Sequence, residues 1–334
     1  MTDSPQIISV VVPVFNEHEV IGVFYERISA VLNSLDSMRH ELIFVDDGSA
    51  DDTYGQLKAF ANDNPTVRIV KLSRNFGHQI AVTAGLDAAR GDAIVVIDAD
   101  LQDPPEIIPD LIRKWNEGFD VVHGVRNVRA GETRLKLITA SIFYRCLKTI
   151  AKIDVAVDSG DFRLMSRRVV DQFKNIRERD RFIRGLVRWI GFRQTSISYA
   201  RDRRHAGHTK YSYSKMFRFA FDAITSFSSV PLKLATWLGY LSSLLAFVYA
   251  CSVFVQKYIL HITEKGWPTI MISVLFLGGV QLICIGIVGE YIGRIYNEIK
   301  QRPLYIVDKL YNRADAPDDL ARSEAVHSVS TSKT

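Results

Sequence analysis

Along the first third of the chain, short apolar runs rich in Val and Ile alternate with longer stretches whose apolar positions recur at helical spacing. Residues 7–12, 41–45, 67–72, 93–97 and 120–125 predict strands. Residues 17–35, a segment starting near Asp51, residues 77–90 and residues 105–117 predict the helices between them. Strands with almost no polar positions are buried on both faces, so the pattern predicts an α/β unit with a parallel sheet covered by helices on each side. Ligands of such sheets gather at the carboxyl ends of the strands. Candidate chemistry is therefore sought just after each apolar run.

Further along, the pattern changes. Residues 234–256 and 266–289 carry no charge, and each run is longer than the roughly 20 residues that cross a hydrocarbon core. Lys233, Lys257, Lys265 and Arg294 flank them, which predicts a transmembrane hairpin. Basic residues crowd its outer ends (Lys215, Arg218, Lys233, Arg294, Lys300, Arg302 and Lys309), against only Lys257 and Lys265 in the loop. By the positive-inside rule both termini are expected in the cytoplasm, with the protein in the cytoplasmic membrane.

Two segments carry amphipathic spacing. In 132–152, Leu135, Ile138, Ile142, Cys146 and Ile150 oppose Arg134, Arg145, Lys148 and Lys152; in 212–229, Phe217, Phe221 and Ile224 oppose Lys215, Arg218 and Asp222. Basic amphipathic helices beside a membrane anchor are expected in the headgroup plane. Residues 312–334 are polar and rich in Ser and Ala, which predicts disorder. The expected division is a cytosolic α/β domain over 1–206, an interfacial helix over 207–231, the hairpin over 232–293 and a cytosolic segment over 294–334.

Composition narrows the picture. With 47% apolar and 24% charged residues the chain is not a disordered one. Cys146, Cys251 and Cys284 are too scattered for a disulfide framework or a zinc cluster. The first residues have neither a basic nor an apolar stretch, so no secretory signal is expected. The net charge of +5 suits phosphates or acidic lipids. No recognition motif accompanies it, so nucleic acid is not an expected partner.

The polar residues after the strands are specific. Pro13-Val14-Phe15-Asn16-Glu17 holds no glycine, which disfavours a dinucleotide fold, and no Walker-type glycine loop occurs anywhere. Asp46-Asp47-Gly48-Ser49 places carboxylates where a base or ribose is held, although capping the next helix is the plainer role. Asp98-Ala99-Asp100-Leu101-Gln102-Asp103 offers two carboxylates and a side-chain amide, a hard-oxygen set suited to Mg²⁺ or Mn²⁺ on phosphates.

These motifs are joined, in order, by Arg74-Asn75-Phe76-Gly77, Gly160-Asp161-Phe162-Arg163-Leu164 and Gly207-His208-Thr209-Lys210-Tyr211. Together they resemble the inverting family 2 glycosyltransferases of GT-A fold, and more narrowly the polyprenyl-phosphate glycosyltransferases. Bacterial bactoprenol glucosyltransferases are the nearest in pattern, and dolichyl-phosphate mannose synthase is more distant. The resemblance implies a nucleotide sugar, probed by Pro13, Asn16, Glu17, Asp47, Arg74, Asp98 and Arg126. It implies a divalent metal on Asp100 and Gln102, with Asp98 beside it. Arg163, Arg201, Arg204 and Lys210 are implied at the acceptor phosphate, and Asp161 as a base, with Asp158 the alternative. Here His208 stands where the pattern has an acid, and Gly124-Val125-Arg126 departs slightly from it. The implied reaction moves one sugar, glucose from UDP-glucose, to undecaprenyl or another polyprenyl phosphate at a lipid bilayer. The resemblance is also compatible with a homo-oligomer. Three rival readings are a GDP-mannose transferase, a processive polysaccharide synthase and a non-catalytic nucleotide-binding scaffold. The synthases carry Gln-x-x-Arg-Trp, of which Gly185-Leu-Val-Arg188-Trp189 keeps only the last two residues.

Overall fold

The computed structural model describes residues 6–35, 38–126, 159–179, 181–200, 230–259 and 266–312. They fall into two compact units, one holding the described residues up to 200 together with 303–312, the other holding 230–302.

The first unit follows the alternation of the sequence through β1 (Ile7–Val14), α1 (Ile21–Asn33), β2 (Arg39–Asp46), α2 (Thr53–Asp63), β3 (Val67–Leu72), α3 (His78–Ala88) and β4 (Ala93–Val96). A 3-10 turn at Pro105–Ile107 leads into α4 (Ile108–Asn116) and β5 (Val121–Arg126). Then come β6 (Ser159–Ser166), α5 (Arg167–Asn175), α6 (Ile183–Ile190) and β7 (Gln194–Tyr199). After the second unit, β8 (Val307–Asn312) completes an eight-stranded sheet in the order β7-β5-β6-β4-β1-β2-β3-β8.

Strand β1 shows why the apolar runs lack alternation. Ile8, Val10 and Val12 join one core cluster with Phe24, Ile28 and Leu32 of α1 and Leu57 of α2. Val11 points to the opposite face, where α3 lies so close that a Cβ on Gly85 would stand 2.2 Å from its Cγ1. Successive strand residues face opposite sides, so a sheet sandwiched between helices needs apolar residues at both. Each such Ile or Phe stabilises the fold by about 1.5–3 kcal/mol when fully buried.

The five strands read from the first 130 residues run in one direction, as expected, and the later strands β6 and β8 make the sheet mixed. β1 to β4 pair in parallel, and so do β5 and β7, but β6 runs antiparallel to β4 and β5, and β8 antiparallel to β3. Asp161 and Arg163 interrupt the apolar character of β6, and β8 is an exposed edge strand carrying Asp308 and Lys309; neither presents an apolar run. The reversal matters for chemistry. It sets the first residues of β6 beside the carboxyl ends of β4 and β5, with Arg163 opposite Val96 and Ser159 opposite Val125.

The second unit is α7 (Val230–Tyr258) and α8 (Trp267–Ile299). Val230–Gln256 and Ile272–Ile299 have mean hydropathies of 1.9 and 2.3 and are long enough to cross a membrane. Leu234, Trp237, Phe247, Leu282 and Ile285 are exposed on them, a surface that suits lipid. Both helices outrun the uncharged stretches, and α8 takes in Glu290 and Arg294, paired at 3.1 Å. The amphipathic segments 132–152 and 212–229 and the tail from 313 onward lie outside the described residues.

Candidate active site

The carboxyl ends of β1, β2 and β4 and the first turn of α3 enclose a cavity of about 290 Å³. Its walls are Pro13, Val14, Phe15, Glu17, Asp47, Asn75, Gly77, His78, Ala81, Asp98, Ala99 and Asp100. Asn16 and Arg74 belong to the same loops. Asn16 adopts a left-handed backbone (φ 55°); its N–H donates to Ser49 Oγ at 3.0 Å, and its side-chain oxygen accepts from Ala50 N–H at 2.8 Å. Asp47, 2% exposed, accepts from Phe76 N–H at 2.7 Å and Gly77 N–H at 2.9 Å. Burial raises its pKa, against the pull of those two bonds. The start of α2 is held instead by Asp51, which accepts from Thr53 N–H and from the Thr53 hydroxyl. Asp47 thus ties the loop after β2 to the loop after β3. Gly48 makes the junction possible: at φ 73° a Cβ there would stand 2.5 Å from the carbonyl carbon of Arg74. The Arg74 guanidinium lies 3.9 Å from the centre of the Phe76 ring.

Asp98, Asp100 and Gln102 follow β4 in a strained turn. Leu101 takes φ 59°, a conformation costing on the order of 1 kcal/mol, while its side chain is 1% exposed and fixes the turn from below. Asp100 Oδ1 accepts from Gln102 N–H at 3.1 Å. Asp98 Oδ1 and Gln102 Oε1 are buried oxygens with no hydrogen-bond donor. Burial first, then the neighbouring charges of Asp161, Asp103 and Asp100, opposed by His78, push Asp98 up to about 6. Two orphaned hard oxygens beside a carboxylate on the cavity wall fit Mg²⁺ or Mn²⁺, which keep several positions for water and phosphate oxygens. Among the described residues no group of three or more His, Cys, Asp and Glu is arranged as a complete metal cage.

Asp161 lies next to this turn because β6 is reversed. Its Oδ1 accepts from Arg163 Nη2 at 3.1 Å and Arg184 Nε at 3.0 Å; its Oδ2 accepts from Arg184 Nη2 at 3.2 Å and lies 3.2 Å from His78 Nε2. Burial would raise this carboxyl, but His78, Arg184 and Arg163 together hold it well below the usual range. His78 also stands 3.6 Å from Asp98 Oδ1. Burial pulls the imidazolium down, yet the bond to Asp161 and the charges of Asp98 and Asp161 lift it to about 9. Arg163, read from the sequence as a phosphate ligand, is 1% exposed and donates to the Gly160 and Asp161 carbonyls. It supports Asp161 from beneath.

Arg126 ends β5 and forms a two-pronged pair with Asp103, at 3.0 and 2.9 Å. The Tyr199 hydroxyl donates to the same carboxylate at 2.5 Å. Asp158, Arg201, Arg204 and Lys210 lie outside the described residues. Sequence reasoning missed His78, Asp103 and Arg184 as members of the site. His78 directly follows the Arg74–Gly77 motif, and Asp103 sits inside the Asp98–Asp103 run, so both had a signal; Arg184, in a short helix that also carries Arg188, had none.

Residues 9–173 match the profile of glycosyl transferase family 2, and residues 230–295 that of the GtrB C-terminal hairpin. A glycosyltransferase of Bacillus subtilis, itself uncharacterised, is 50% identical over 91% of this chain and 94% of its own. The prophage bactoprenol glucosyl transferase homolog of Escherichia coli is 43% identical over 91% of this chain and 99% of its own. The bactoprenol glucosyl transferase of Shigella phage SfII is 43% identical over 90% and 97%. The crystal structure of glucosyl-3-phosphoglycerate synthase from Mycobacterium tuberculosis with Mn²⁺, UDP-glucose and phosphoglyceric acid aligns with a TM-score of 0.44 and 24% identity, over 66% of this chain and 77% of that one. The chain belongs to glycosyltransferase family 2, with a GT-A-like mixed sheet followed by two apolar helices of the hairpin type.

Proposed function

We propose that the protein is a membrane-anchored, metal-dependent, inverting glycosyltransferase that moves one glucose from UDP-glucose to undecaprenyl or another polyprenyl phosphate. The observation that carries this reading is the cavity in which Asp98 and Asp100 face His78, with Asp161 behind it. It occurs in a chain whose relatives, over nine tenths of its length, include bactoprenol glucosyl transferases.

In this reading Pro13, Asn16, Glu17, Asp47 and Arg74 surround the nucleotide, and Arg126, braced by Asp103, closes the same end of the sheet. Asp98, Asp100 and Gln102 would hold the divalent ion, which would supply positive charge against that gathering on the departing diphosphate. Arg201, Arg204 and Lys210 bring the acceptor phosphate in line. Its second ionisation lies near pH 6, as for other phosphate monoesters, so at neutral pH most of it is already nucleophilic. Placement then matters more than deprotonation. Attack from the face opposite the nucleotide inverts the anomeric centre. A donor screen tests the reading: UDP-glucose should support transfer to a short prenyl phosphate, and preference for GDP-mannose would move it to the mannose-synthase class.

The sheet supports the hairpin topology. β7 precedes α7 and α8, β8 follows them, and both strands lie in one sheet, the order a hairpin that crosses twice would give. The positive-inside bias then assigns both termini to the cytoplasm. Single cysteines at Ile262, Asp3 and Leu320 should therefore label from opposite sides: Ile262→Cys from outside the cytosol, Asp3→Cys and Leu320→Cys from within. Cytosolic labelling of position 262 would refute the hairpin.

A further inference from the structure

Arg163, His78 and Arg184 meet on the Asp161 carboxylate, and the three contacts are not equivalent. Arg163 is 1% exposed and is also bonded to two carbonyls of its own strand, so it is a fixed part of β6. His78 stands between Asp161 and Asp98 on the wall of the donor cavity. Arg184 comes from α6, keeps 33% of its side chain in solvent, and reaches Asp161 at 3.0 and 3.2 Å. The helix has its own anchor, since Ile183 N–H donates to Gln79 Oε1 at 3.0 Å. Arg184 is therefore able to change partner while α6 stays in place.

The charges point the same way. Two guanidinium groups, Arg163 and Arg184, face the single Asp161 carboxylate, an arrangement that leaves cationic capacity for a further anion. A guanidinium fork matches carboxylate and phosphate alike, so moving from one to the other conserves its hydrogen bonds.

We infer that Arg184 is an acceptor-phosphate residue kept aimed by Asp161: the phosphate of the incoming acceptor takes over part of its guanidinium. The inference rests on the acceptor being a polyprenyl phosphate, as proposed above. It gives Asp161 a defined task before any chemistry. The carboxylate holds the arginine one residue, His78, away from the donor cavity, and it regains a free oxygen edge when the phosphate binds.

The test uses the full chain in detergent, with UDP-glucose and a short-chain prenyl phosphate. Arg184→Ala should raise the KM for the prenyl phosphate about tenfold or more while leaving calorimetric UDP affinity within about twofold, and Arg184→Lys should recover part of the loss. Inorganic phosphate should compete with the prenyl phosphate on the wild type and less effectively on Arg184→Ala. An unchanged acceptor KM in Arg184→Ala overturns the inference. Equal losses for donor and acceptor also overturn it, because they mark a packing role. Should Arg184→Ala fold poorly, Arg184→Gln, which keeps length and polarity, is judged by the same two constants. Absence of transfer by the wild type to any prenyl phosphate would overturn the proposed acceptor and this inference with it, whereas wild-type transfer with an unmoved acceptor KM overturns this inference alone.

Discussion

Asp100→Asn is expected to lower turnover about a thousandfold while leaving folding and membrane insertion intact, because electrostatic help to a leaving diphosphate is worth several kcal/mol. The substitution keeps an oxygen that can accept from Gln102 N–H, so the turn after β4 retains its internal bond. What it loses is the charge beside the two orphaned oxygens, Asp98 Oδ1 and Gln102 Oε1. Chelation of the wild type with EDTA should bring turnover down to a similar level, and added Mn²⁺ or Mg²⁺ should restore the wild type but not the variant. Full activity of Asp100→Asn in EDTA would remove the metal from the mechanism.

Asp161→Asn is the second large effect. The variant leaves Arg163, Arg184 and His78 facing a neutral amide, and removing one partner of a buried ion pair costs about 3–5 kcal/mol when nothing compensates. The amide oxygen still accepts hydrogen bonds, so a lowered thermal midpoint rather than unfolding is expected. Turnover should fall on the order of a hundredfold or more, the scale of a lost acid–base or orienting group. Raising the pH from about 6 to 8 should not restore it, because the acceptor phosphate, about half ionised at pH 6 and almost fully at pH 8, gains at most about twofold over that interval. Near wild-type turnover in a folded Asp161→Asn would take the residue out of the catalytic group and leave the work to the basic side chains.

The parts of the fold that were legible in the sequence are those set by local pattern. The apolar runs of β1 to β5 and the helical spacing between them are dictated by burial on both sheet faces, and the residues after β1, β2 and β4 do line one cavity. The apolar hairpin was legible for the same reason, since its length and lack of charge follow from the medium it suits. Tertiary pairing was not. β6 hides its strand character behind Asp161 and Arg163, yet its reversed direction is what brings Asp161 to His78 and Asp98. β8 pairs with β3 across more than two hundred residues of chain, and its exposed, charged side chains give no sign of it. Arg184 was invisible because its partner is supplied by the fold, while Arg163 and Arg126 were visible as basic positions but turn out to be bound to Asp161 and Asp103.

The most direct measurement is the mass spectrum of the lipid product after purified protein has been incubated with UDP-glucose, Mn²⁺ and a short prenyl phosphate. A single species, the prenyl phosphate carrying one hexose with its phosphate retained, is the predicted result. A ladder of hexoses would identify a polymerising synthase, and an unmodified lipid with intact UDP-glucose would contradict the transferase reading.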